Sequence, residues 1–100
     1  MREGEGEVLK VTIREDLSID FEVVNVRLSA GDEIEWQTSG GPIVISFDDD
    51  NHPFSECSFT TTADKPARSG PPVGGIGYYE YYIRSVSMAK SADPGVNIKP

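Results

Sequence analysis

Only one cysteine, one histidine and one tryptophan occur in the 100 residues of this chain. The lone thiol, Cys57, excludes an intramolecular disulfide and with it a crosslinked secreted scaffold. Cations are scarce too: 9 Lys and Arg stand against 17 Asp and Glu, a formal charge of −8. Such a surface repels phosphate backbones and anionic membranes, so nucleic-acid binding is not expected; basic proteins or cations suit it better. Long apolar runs are missing, and the opening Met1–Glu7 is Glu- and Gly-rich, so neither a signal peptide nor a membrane-spanning segment is expected. If Met1 is the native start, the cytoplasm is the expected location; removal of an export signal would leave the same sequence. There is no internal repeat, low-complexity tract or helix-period pattern.

What is present is alternation. Apolar residues fall at every second position in short runs, and seven prolines and ten glycines separate them. That predicts an all-β domain rather than a disordered chain. Hydrophobic content is 37%, so the margin for a core in a single 100-residue domain is thin. Residues 1–6 are expected to fray, leaving 7–100 as the domain.

Leu9, Val11 and Ile13 predict a first strand, and Leu17, Ile19, Phe21 and Val23 a second. The phase then slips by one residue to Val24, Val26 and Leu28. A period-two pattern needs an extra residue or a bend to do this, so a bulge or a crossing between sheets is expected near Val23–Val24. After an Ala30–Glu33 turn come a strand with Ile34 and a core Trp36, a break at Ser39–Pro42, and a strand with Ile43, Ile45 and Phe47. A polar loop over Asp48–Glu56, a short run over Phe59–Thr62 and a long loop over Lys65–Gly77 follow. An aromatic strand from Tyr78 to Arg84, a turn at Asp93–Gly95 and a last strand with Val96 and Ile98 complete the chain. Seven or eight such strands predict a Greek-key β-sandwich.

Four stretches carry a family resemblance. Ala30–Trp36 (AGDEIEW) resembles the G-D-x-[VI]-x-W hairpin of cupredoxins, the blue-copper-protein family, and Gly41–Phe47 (GPIVISF) resembles the strand after it. Gly77–Ile83 (GYYEYYI) resembles the strand that leads to the copper cysteine, and Asp93–Pro100 (DPGVNIKP) the final strand. The resemblance implies a cupredoxin-like sandwich. It places the first copper histidine at Ile43 and the copper cysteine at Ile83. No histidine follows among Arg84–Met88, and Met88 comes sooner than an axial methionine usually does. At least three of the four expected ligands are absent. A blue-copper site needs a thiolate and two imidazoles, and isoleucine has no lone pair to offer. The expectation is a protein without copper or other cofactor, in which these side chains extend the core.

The other polar groups offer only weak chemical signals. His52 lies beside Asp48–Asp50, but the tract lacks the spacing of a calcium loop and reads as a turn. Cys57 and His52 share one loop, with no third group evident to orient a base. Ser39, Ser69 and Ser85 sit in no nucleophile motif. The glycines of 70–77 precede a strand, where a phosphate cradle needs a helix. No catalytic residue is therefore expected.

On the aromatic strand the resemblance turns Tyr79, Tyr81 and Ile83 inward and Tyr78, Glu80 and Tyr82 outward. Exposed tyrosines around a glutamate suit a protein contact; coverage by a neighbouring loop is the other reading. The function expected is a non-catalytic module acting through protein contacts, with a possibly basic partner. The alternative is a metal or electron-transfer protein that uses His52, Cys57 and Met88.

Overall fold

Tight turns and alternating β-branched residues leave the chain little choice but short strands. The computed structural model describes residues 6–14, 16–85, 89–90 (backbone alone) and 94–100, and among these there is no helix. The first half has β1 (Val8–Ile13), β2 (Val23–Arg27), β3 (Glu33–Thr38), β4 (Ile43–Ser46) and β5 (Ser58–Thr61). The second has β6 (Ala67–Arg68), β7 (Gly77–Glu80), β8 (Tyr82–Ser85), β9 (Ala89–Lys90) and β10 (Gly95–Lys99). Among the described residues there are ten strands and not the seven or eight expected: the pairings at β6 and β9 are too short to show in a periodic pattern and the aromatic strand divides into β7 and β8, while the strand over Leu17–Val23 is lost.

Three small sheets run in the orders β1-β3-β6, β2-β10-β7 and β5-β4-β8-β9. β1 pairs with β3, and β10 with β2, in parallel; the other pairings are antiparallel. The result is an all-β, sandwich-like molecule with one core. Val11, Ile13, Val26, Ile34, Trp36, Ile45, Phe54, Tyr81 and Ile98 are all buried in it. Trp36 is the hub: Phe59, Tyr81, Phe47 and Phe54 lie at centroid distances of 5.2, 5.7, 6.3 and 6.5 Å. Its indole N–H donates to the Tyr81 hydroxyl at 3.4 Å.

Three expectations are corrected. The strand over Leu17–Val23 does not form. A turn closed by the Arg14 N–H on the Ser18 carbonyl, with Leu17 in the left-handed region at φ 67°, returns the chain beside β1, which it meets at an Ile13–Ile19 bridge and at Asp20, whose N–H donates to the Thr12 carbonyl and whose Oδ1 accepts from the Thr12 N–H. Leu17 is nevertheless buried, so its place in the core overrides its backbone preference. Phe21 and Val23 are exposed, and of the two outcomes expected at Val23–Val24 the chain takes the crossing and not the bulge: Ile19 and Asp20 lie on β1 of one sheet, and β2 pairs with β10 in another. The loop over Asp48–Glu56 is not uniformly polar, since Pro53 and Phe54 are buried. Finally, the aromatic strand from Tyr78 to Arg84 is broken at Tyr81. There the Tyr81 N–H makes the last bond of the β7–β10 register, to the Pro94 carbonyl at 3.1 Å, and proline has no N–H to return one. Residues before it pair with β10 and residues after it with β4. The turn at Asp93 and the expected fraying of residues 1–5 lie outside the described residues.

The β2–β3 turn carries a buried carboxylate. Asp32 accepts from the Glu7 N–H at 2.8 Å, the Arg27 N–H at 3.1 Å, and both Nε and Nη2 of Arg27 at 2.8 and 3.1 Å. It ties the start of β1 and the end of β2 to the turn. Gly6 is part of this knot, because a Cβ there would collide with the Gly31 backbone.

Candidate interaction surface

The stretch 77–85 changes pairing partners without changing phase. Tyr79, Tyr81 and Ile83 face inward, and Tyr78, Glu80, Tyr82 and Arg84 face outward. This works because the break at Tyr81 adds no residue, so alternation runs straight through it. Tyr81 is fully buried, and burial pushes its phenol up to about 12, so the hydroxyl stays protonated beside the indole. Tyr79 is half-buried and donates to the Gly75 carbonyl at 2.8 Å.

Ile43 and Ile83, where the resemblance places two ligands, are both buried. In the antiparallel β4–β8 register Ile83 lies opposite Ile45, with Ile43 two residues along on the same face. Each is an aliphatic group among aliphatic and aromatic neighbours.

On the outward face, Tyr78 is 48% and Tyr82 51% exposed. With Glu80, Asp48 and Asn51 they line a cleft of about 220 Å³. The rings are not equally free. Tyr78 lies across Gly95 of β10, where a Cβ would run into the ring, so the glycine makes room for the tyrosine. Asp48 and Asn51 arrive from the loop after β4, closed by their own bridge and a 3.3 Å Asn51 N–H bond to the Asp48 carbonyl. The reading of 77–85 alone missed these two residues. The signal lay in the pairing: Ser46 is opposite Tyr82, so continuing that register by two residues brings Asp48 to Glu80. Two carboxylates and two phenol rings in one concavity give negative potential beside π-faces, an environment that attracts a guanidinium or ammonium group.

The structure does not bring the remaining candidates together as ligands. The His52 Nδ1 is 2.6 Å from the Phe54 carbonyl, which can only accept, so this nitrogen carries the proton and the ring braces its own turn. The Cys57 thiol donates to Asp49 at 3.5 Å, and this bond, with partial burial, pushes the thiol above its ordinary value, away from nucleophilic thiolate. Met88 lies outside the described residues. Among those described, no three His, Cys, Asp or Glu side chains gather in a way that could hold a metal ion. Ser69 is occupied structurally: its hydroxyl accepts from the Ile34 N–H at 2.9 Å and donates to the Gly70 carbonyl at 2.8 Å.

Compared with models of known protein families the chain matches none, and no curated protein is similar enough to count as a relative.

Proposed function

We propose that this chain is a Greek-key, cupredoxin-like module without a blue-copper site, non-catalytic, which acts through protein contacts made by Tyr78, Glu80 and Tyr82. The observation that carries the reading is the cleft in which these three residues meet Asp48 and Asn51, on the reverse side of a stretch whose inner side is core. Neighbours distant in sequence, β2 beside β10 and β3 beside β6, support the Greek-key topology. The burial of Ile43 and Ile83 supports packing in place of ligation. The net charge of −8 and the carboxylates of the cleft favour a basic partner whose arginine or lysine sits between the rings.

The test is affinity capture from native lysate with the wild-type chain and with Glu80→Gln and Tyr82→Ser variants of matched circular dichroism. A basic protein retained by the wild type and lost from both variants supports the surface. Capture indifferent to both substitutions, or no capture, contradicts it.

A further inference from the structure

A second concave surface lies on the opposite side of β10 from β7, and the cleft plays no part in it. Leu9, Lys10 and Val11 of β1 face Phe21, Val23, Val24 and Asn25 across a largely apolar groove of about 320 Å³. β1 and β2 are the end strands of their sheets, so among the described residues no strand pairs with the groove side of β2. Backbone parity fixes what that side offers. Gly95 donates to the Glu22 carbonyl and Leu28 to the Lys99 carbonyl, so the even-numbered residues of β2 turn their N–H and C=O to β10. Val23, Asn25 and Arg27 turn theirs to the groove. Arg27 is satisfied there, because its N–H meets Asp32 and its carbonyl accepts from Gly31 and Asp32. Among the described residues nothing occupies the groove-side N–H and C=O groups of Val23 and Asn25, and these remain to template an added strand.

We propose that the added strand is β2 of a second copy of this chain. Antiparallel pairing about a two-fold axis at Val24 sets Val23 of each copy opposite Asn25 of the other, a register in which each such pair exchanges two hydrogen bonds. The same patch carries both halves of the apolar fit. Phe21 is 55% and Val23 49% exposed as projections, and Leu9, Val11 and Val24 floor the groove that receives them.

Sedimentation equilibrium tests this, from micromolar to millimolar chain. The weight-average mass rises with concentration from 10.9 kDa toward twice that value. Because each copy carries −8, added salt screens the repulsion and tightens the association. Val23→Lys, on the exposed side of β2, raises the dissociation constant at least tenfold with an unchanged circular dichroism spectrum. Phe21→Ser does likewise, whereas Ile76→Lys, exposed but outside the groove, leaves it unchanged. A mass fixed at 10.9 kDa throughout, or a dimer indifferent to both Val23→Lys and Phe21→Ser, overturns the proposal.

Discussion

The two faces of residues 77–85 share a backbone and differ in almost everything else. Inward, Tyr81 and Ile83 are buried against Trp36 and Ile45, and their chemistry is reduced to filling space and satisfying one indole N–H. Outward, Tyr78, Glu80 and Tyr82 carry polar tips into a cleft and contribute little to the core. The contrast teaches where a domain with no disulfide and little apolar content can keep variable chemistry. The inner positions are held by packing, and the outer ones are open to a partner.

Breaking the inner face should produce the largest effects. Trp36→Ala removes the hub of four aromatic contacts, and denaturant unfolding should show a loss of about 3–5 kcal/mol. An unchanged midpoint would mean that the ring does not hold the core. Ile83→Ala should cost about 2–5 kcal/mol by the same cavity argument.

Asp32 sharpens the comparison, because it is a buried group with polar chemistry that nevertheless serves structure. Asp32→Ala leaves the Glu7 and Arg27 N–H groups without their acceptor and should cost about 1–3 kcal/mol at neutral pH. The Arg27 guanidinium, more than the two N–H groups, holds this carboxyl below its ordinary value of 3.8. A depressed folded-state value stabilises the protein above the unfolded-state value, and the stabilisation is lost as pH falls through the folded one. The gap between wild type and variant should therefore be constant near neutrality and shrink below about pH 4. A gap that widens in acid would contradict the assignment.

Gly95→Ala bridges the two faces. The added methyl meets the Tyr78 ring and should destabilise the β7–β10 pair by about 1–3 kcal/mol. Most of that loss should vanish in a Tyr78→Ala background, and a double-mutant cycle reads the coupling. The smallest effect belongs to the outer face. Tyr82→Ser should change stability by no more than about 0.5 kcal/mol while abolishing partner capture. A large loss of stability would place Tyr82 in the structural class.

Much of this contrast was legible in the sequence. Period-two alternation sorted the residues of β7 and β8 into two faces, of which the family resemblance chose the inner one, and it indicated the core position of Trp36 and the edges of β3, β4 and β10. It misled at Leu17–Val23, where Leu17 satisfies the pattern by burying its side chain from a left-handed turn. Alternation reports which side chains are buried, not whether their backbone is paired. It also could not show the break at Tyr81, because the phase is unchanged there and only the hydrogen-bonding partner differs. Asp32 read as a turn residue because its acceptors' partners, Glu7 and Arg27, come from other elements. Asp48 and Asn51 entered the cleft through strand register, which a single strand does not contain.

The central proposal is that packing stands in place of ligation at Ile43 and Ile83, and copper titration of the purified chain tests it most directly. The expected result is no intense visible absorption of a copper–thiolate bond and no copper-dependent rise in melting temperature. Ile43→His and Ile83→Cys with a histidine at Val86 should lower the stability of the copper-free protein and let copper restore it by binding the folded state. Tight, stoichiometric copper in the unmodified chain would contradict the account and return His52, Cys57 and Met88 as ligands.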